Sequence, residues 1–271
     1  MDGDAIGATT LLCLHAHPDD EVMLTGELLA KAAARGLRTV VVYGTRGEAG
    51  ETGLDLGRET LGDRREREAR AACRELGVHR VEFLDHVDSG MAGTPTNVDP
   101  MAFSTADPVA VAERVAELVA DEDLLAVVGY DANGTYGHPD HVQVHRVAHT
   151  LAAGLAVPWL LDATYNREYL AGLPDSDGRL DPAYASSVAD LTHFVQDERW
   201  FRAKMEGVKC HTSQARKGTS REKSPHRTID GWRARFGTEW FTARSPIGVA
   251  DLGALATVLE PKAGWPGPLT R

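Results

Sequence analysis

The hydrophobic positions fall in short unbroken runs rather than in strict alternation. Thr10–Ala16 (TLLCLHA), Arg38–Tyr43 (RTVVVY), Val81–Leu84, Leu124–Gly129 and Trp159–Thr164 are each too short for a helix and are bounded by polar or glycine-bearing stretches. Such runs predict strands buried on both faces. Between them, apolar residues recur at helical spacing over Asp20 to about Arg35 (ended by Gly36), Arg58–Leu76 (ended by Gly77), Val109–Ala120 and Asp140–Leu151. The rhythm β-α-β-α-β-α-β-α-β predicts an α/β fold, a Rossmann-like three-layer sandwich with a mainly parallel sheet.

Two regions depart from this rhythm. Asp85–Asp107 is a long irregular stretch with prolines at 95 and 100, and loops of that length in a compact domain are usually functional. After about Leu170 the pattern weakens. Gly172–Ala189 is rich in Asp, Pro, Gly and Ser, Asp197–Cys210 reads as a helix, and His211–Phe236 is polar and basic. The expectation is a single domain over residues 1–271: an α/β core over 1–170, and an irregular C-terminal cover or lid over 171–271.

Composition narrows the class. With 42% apolar and 25% charged residues the chain has the balance of a soluble globular protein, not of a disordered, collagen-like or coiled-coil one. A net charge of −11 disfavours nucleic acid as a partner. The charge is uneven, however. Arg199–Arg235 holds 11 Lys/Arg against 3 Asp/Glu. Either this segment pairs with the acidic body, or it lines a pocket mouth and receives an anionic part of a substrate, with Arg216 and Lys217 the residues to probe. The three cysteines (Cys13, Cys73, Cys210) form no CxxC pair. Reduced thiols, no basic leader ahead of an apolar run, and no apolar stretch of about 18 residues lead to the expectation of a cytoplasmic protein without a membrane span. The oligomeric state is left open.

Two polar clusters follow strands. His15-Ala16-His17-Pro18-Asp19-Asp20-Glu21 comes directly after the first, and Tyr136-Gly137-His138-Pro139-Asp140-His141 a few residues after the fourth. In an open α/β sheet, ligands bind beyond the carboxyl ends of strands. Histidines and carboxylates together suit zinc or a similar divalent ion, and a catalytic zinc site wants three protein ligands and an open position. His17, Asp20 and His141 supply such a set. Asp19 is then left beside the ion as a base and His138 as a donor to a developing oxyanion, a constellation for hydrolysis of an acyl group. The plainer alternatives are a helix cap for Asp19 or Asp20 and a simple turn for each His-Pro. His15 reads as support rather than ligand. His145 and His149 continue the face of His141, but no Glu follows His141 to complete HExxH, so packing or support is favoured for His145. The glycine-rich Gly44–Gly57 has neither GxGxxG in register nor GxxxxGK[ST], and no GxSxG elbow is present. A non-catalytic sugar- or nucleotide-binding module is the rival class.

The paired motifs His17-Pro18-Asp19-Asp20-Glu21 and His138-Pro139-Asp140-His141 resemble those of the PIG-L/LmbE-like zinc-dependent N-deacetylases. Gly47–Glu51, Arg65 with Glu68, and Asp88-Ser89-Gly90-Met91-Ala92-Gly93-Thr94-Pro95 resemble the branch of that family that acts in the mycothiol pathway on N-acetylglucosaminyl-inositol. The resemblance implies one Zn2+ per chain on His17, Asp20 and His141, with Fe2+ fitting the same donors. It implies Asp19 as general base, a protonated His138 as oxyanion-stabilising acid, Tyr136 as a contact to the tetrahedral intermediate, and Asp140 as orienter of a histidine. Glu48, Arg65 and Asp88 would contact sugar hydroxyls, and His211 is taken as a further substrate contact. The implied substrate is a small-molecule glycoconjugate bearing N-acetyl or N-acyl glucosamine. Mycothiol conjugates and N-acylglucosaminyl antibiotic precursors, such as glycopeptides, are the alternatives. For Arg65 and Glu68 the plain alternative is a solvated charged helix.

Overall fold

The computed structural model describes residues 9–173, 181–215 and 228–268. Along the chain run β1 (Thr10–His15), α1 (Asp20–Leu24), α2 (Gly26–Ala34), β2 (Arg38–Thr45), α3 (Leu61–Glu75), β3 (Arg80–His86), α4 (Pro108–Leu118), β4 (Leu124–Tyr130), the short turn α5 (Gly134–Gly137), α6 (Pro139–Gly154) and β5 (Trp159–Thr164). Then come α7 (Arg167–Ala171), β6 (His193–Val195), α8 (Glu198–Cys210), α9 (Ile229–Phe236), β7 (Glu239–Arg244) and β8 (Glu260–Pro261).

The five apolar runs form one parallel block. The sheet order is β3-β2-β1-β4-β5-β7-β6-β8, parallel from β3 to β5 and antiparallel beyond. Leu11, Leu12, Cys13, Val40 and Val41 are wholly buried, as strands covered on both faces require. α8 packs on α1, α2 and α3, while α4 packs on α6, giving two helical layers about the sheet. The mainly parallel α/β sandwich expected from the sequence is the fold observed.

The strand order reverses at β1. The chain steps outward through β2 and β3, then returns to the other side of β1 for β4. Crossovers leaving adjacent strands in opposite directions open a crevice at their carboxyl ends. Both His-Pro-Asp motifs lie there.

The structure differs from the sequence reading in two respects. The helix expected from Asp20 to Arg35 breaks at Thr25, which takes φ −140°, ψ 13°. Its hydroxyl bonds the Glu21 carbonyl and meets His15 Nε2 at 3.0 Å. α2 then restarts against Glu239 of β7, whose carboxylate accepts from the amides of Glu27 (2.8 Å) and Leu28 (2.9 Å). An anion at a helix N-terminus satisfies donors that have no partner within the helix. The last third, expected to be irregular, adds β7, β6 and β8 to the sheet edge. β6 and β8 have three and two residues, too few to show any period.

In the basic segment, Arg202 and Arg233 pair with Glu198, Lys209 with Glu206, and buried Lys204 with Glu239 at 2.9 Å. Arg216 and Lys217 lie outside the described residues. Among the described residues no helix is long and apolar enough to cross a membrane, and the three cysteines are free.

Candidate active site

β1 ends at His15, and the chain turns through His17 to Asp20 before α1. Asp19 holds the turn at φ 114°, a left-handed conformation uncommon outside glycine. Neither aspartate caps the helix through its own side chain. Asp19 makes no side-chain cap, and Asp20 Oδ2 turns back to accept the His17 amide at 2.9 Å. Past β4, Asp131 Oδ1 accepts from the amides of Asn133 and Thr135, both at 3.0 Å. This folds residues 131–138 onto the first turn of α6. Gly134 (φ 61°) is required there, since a Cβ would stand 2.7 Å from the Val142 nitrogen. His138 caps α6, its Nδ1 accepting the Asp140 amide at 3.1 Å.

The two turns bring His17, Asp20 and His141 together, all buried, with one candidate ligand atom from each within 4.8 Å of the others. His17 Nδ1 is 3.5 Å and His141 Nε2 3.2 Å from Asp20 Oδ2. The second nitrogen of each ring is tied elsewhere: His17 Nε2 to Asp140 Oδ2 (3.1 Å) and His141 Nδ1 to Thr135 Oγ1 (3.2 Å). Because a carboxylate only accepts, His17 Nε2 keeps a proton for Asp140, and without a metal Nδ1 is protonated too where it faces Asp20; giving up that Nδ1 proton frees the lone pair a cation would take. Burial opposes charge on His17, but Asp88, Asp140 and Asp20 outweigh it and hold the ring well above the usual imidazole range. Burial raises Asp20, but His141 and His17 pull it well below the usual carboxylate range. Electron pairs converging on one buried point need protons or a cation between them, so the donors fit a divalent ion.

Asp140 is wholly buried and also accepts from the amide (2.9 Å) and the hydroxyl of Ser89. Asp88 Oδ1 stands 3.5 Å from His17 Nε2. Asp88 receives the amides of Ala49 and Gly90, and its own amide donates to exposed Glu48 at 2.9 Å. Glu48 and Asp88 therefore form one linked rim. Tyr136 places its hydroxyl 3.2 Å from His141 Nε2. His138 differs from the protonated ring implied by the family resemblance. Burial, with His17 and His141 close by, pushes it down to about 3, and Nδ1 is already an acceptor. The ring is neutral with its proton on Nε2, and a bound cation would push it further the same way.

Asp19 lies beside the cluster. Its pKa is raised by burial, against the pull of Arg65, whose Nη2 is 3.1 Å from Asp19 Oδ1. Arg65 is buried and also donates to the carbonyls of Pro18 and Gly47, the latter at 2.7 Å. It braces the Asp19 turn. Glu68, one turn on, is no solvated side chain either: it accepts from the Thr212 hydroxyl (2.6 Å) and from the amide (2.9 Å) and hydroxyl (2.6 Å) of Ser213. These contacts bring His211 to Glu21, with Nε2–Oε1 2.5 Å, while Glu21 Oε2 accepts the Asp19 amide. Burial lowers His211, but Glu21 outweighs it and keeps the ring above its ordinary value. The sequence reading missed Ser89, Thr135 and Glu21 as supports, since none has a pattern that marks its distant partner. His15 is support as expected, bonded to the hydroxyls of Tyr130 and Thr25.

The profile of the PIG-L family, described as GlcNAc-PI de-N-acetylase, matches residues 12–152, from β1 through most of α6. The chain belongs to the PIG-L family. Among its relatives, a 1D-myo-inositol 2-acetamido-2-deoxy-alpha-D-glucopyranoside deacetylase of Thermobifida fusca is 39% identical over 196 residues, 68% of each chain. One of the same name from Nocardiopsis dassonvillei is 37% identical over 235 residues, 75% of this chain and 83% of that one. A solved A40926 pseudoaglycone deacetylase has the same fold, with a TM-score of 0.60 at 19% identity over 90% of this chain and 99% of that one. The PIG-L match covers both His-Pro-Asp motifs; α8, β7 and His211 lie beyond it.

Proposed function

We propose that this chain is a metal-dependent hydrolase that removes the N-acetyl group from a GlcNAc-type glycoconjugate, with an N-acetylglucosaminyl-inositol as the substrate class. One observation carries this reading. His17, Asp20 and His141 converge with Asp19 beside them, in a PIG-L chain 39% identical to a deacetylase of that sugar–inositol compound.

His17 Nδ1, Asp20 and His141 Nε2 would hold the ion, zinc or iron(II). When bound, the ion supplies Lewis acidity, polarising the amide carbonyl and acidifying water. The residues of the chain do the rest. Arg65 occupies Asp19 Oδ1, which leaves Oδ2 to take the proton from the attacking water. Burial raises Asp19, the direction that suits a base. His138, its proton on Nε2, donates to the developing oxyanion as a neutral imidazole, and the Tyr136 hydroxyl reaches the same side. Asp19 then returns its proton to the leaving amine. Glu48 and Asp88 form the rim that meets sugar hydroxyls.

The test is release of primary amine and acetate by the metal-stripped chain, by the chain given one equivalent of Zn2+ or Fe2+, and by Asp19→Ala. Metal should restore turnover, and Asp19→Ala should keep the ion while losing roughly 100-fold or more in kcat. A mycothiol conjugate and an N-acylglucosaminyl glycopeptide serve as rival substrates. Preference for either moves the aglycone assignment, and no amine from any of the three overturns the proposal.

A further inference from the structure

α6 carries two more histidines on the face begun by His141, and the deacetylase reading uses neither. His145 Nδ1 bonds the Tyr130 carbonyl at 2.9 Å, which fixes its proton on Nδ1 and leaves Nε2 with a lone pair. His149, one turn further, lies with its ring centroid 4.0 Å from that of His145. Its Nε2 is 2.9 Å from Oδ1 of Asp162, in the middle of β5. Asp162 is a buried carboxylate on a strand otherwise made of Trp159, Leu160, Leu161, Ala163 and Thr164. Its other oxygen is bound by Arg244 Nη2 at 2.7 Å. One ligand atom from each of His145, His149 and Asp162 lies within 4.8 Å of the others.

We infer that His145, His149 and Asp162 form a second metal site, for a divalent first-row ion of the zinc class. Two imidazoles and a carboxylate are the donors that suit such an ion. Ligands about 2.1 Å from a metal at tetrahedral or right angles lie roughly 3.0–3.4 Å apart, close to the His149–Asp162 separation. His149 keeps 29% of its side chain exposed and is free to close the remaining gap. Binding takes the place of the proton shared by His149 Nε2 and Asp162 Oδ1: in the neutral ring that proton moves to Nδ1, and from an imidazolium it passes to solvent while Nδ1 keeps its own. Burial lowers the pKa of His145, so its ring is already in the neutral form a metal needs. Asp131 is not a ligand, because Asn133, Thr135 and Thr164 occupy both of its oxygens. The site ties α6 to β4 and β5 two turns beyond His141, on the helix that carries the active-site histidine.

The full-length chain is titrated with Zn2+ against a chromophoric chelator and with Co2+ by visible absorption. Wild type should bind a second, weaker equivalent, with affinity falling as the pH is lowered. His149→Gln and His145→Gln should each lose that equivalent yet keep the first, along with amine release at one equivalent of metal. Because metal is counted directly, the outcome does not depend on which substrate the enzyme takes. A wild-type chain that binds one equivalent only, or variants that retain both, would overturn the site. Should the variants not fold, zinc-edge anomalous scattering from soaked wild-type crystals decides: density at His149 Nε2 supports it, and bare rings refute it.

Discussion

Replacement of Asp140 probes how the candidate ligands are held. Its carboxylate accepts from His17 Nε2 at 3.1 Å and from two donors of Ser89, with no exposure to solvent. Asp140→Asn preserves shape. Its amide oxygen can take the position shared by His17 Nε2 and the Ser89 amide, while the Ser89 hydroxyl turns toward Ser104, 2.8 Å away. What is lost is the charge that makes His17 Nδ1 a strong donor. Removing such a partner lowers metal affinity about 10- to 100-fold, about 1.4–2.8 kcal/mol. Asp140→Ala also strands the buried Ser89 amide, at a further cost of about 1–3 kcal/mol in stability. Chelator competition gives the affinities and urea unfolding of the metal-stripped chains gives the stabilities. Asn should lose affinity with only the stability that pairing to a protonated His17 supplies, and Ala should lose both with a clearly larger loss of stability. An Asn variant that binds metal as tightly as wild type would refute the role assigned to Asp140.

Three further outcomes are expected. Arg65→Lys cannot bridge Pro18, Gly47 and Asp19 at once, so kcat should fall while the bound metal is retained; an unchanged kcat would show that the brace is dispensable. Glu68→Ala removes a charged acceptor of three bonds, so urea unfolding should show a loss of about 2–4 kcal/mol, together with a raised KM as His211 loosens from Glu21; unchanged stability would contradict the clamp. Glu27 is buried beside Glu239 and Lys204, and burial, outweighing Lys204, raises its pKa well above the ordinary 4.5. The native state thus keeps a proton the unfolded chain gives up. That contribution is full below about pH 4.5 and is lost as pH rises through the folded value. Glu27→Gln should therefore flatten the decline of stability above pH 4.5, and unfolding free energies measured from pH 4 to 8 check it; an unaltered slope would sink the assignment.

Much of this was legible in the chain itself. Five unbroken apolar runs could only be strands covered on both faces, and their alternation with helices left a parallel sheet. His17, Asp20 and His141 were legible because short motifs at two strand ends meet wherever those strands are adjacent. What escaped depends on contacts distant in sequence. The break at Thr25 follows from Glu239 capping α2, more than two hundred residues away. The bracing contacts of Arg65 and Glu68 were not legible, because nothing in RREREAR reveals that Gly47, Pro18 and Ser213 wait to accept or donate. β6 and β8 are too short for any periodicity. The ionisation of His138 could not be read from its motif either, since it is set by burial among His17 and His141 and by the amide its Nδ1 accepts.

The central claim is the identity of the ligands. Crystals grown with one equivalent of Zn2+ and measured on either side of the zinc absorption edge test it directly. The account predicts the strongest anomalous peak about 2.0–2.2 Å from His17 Nδ1, the Asp20 carboxylate and His141 Nε2. A second buried group, His17 with Asp88, His138 and Asp140, lies on the other side of the same imidazole. A peak there, against His17 Nε2, would contradict the assignment of ligands and, with it, the roles of Asp19 and Asp140.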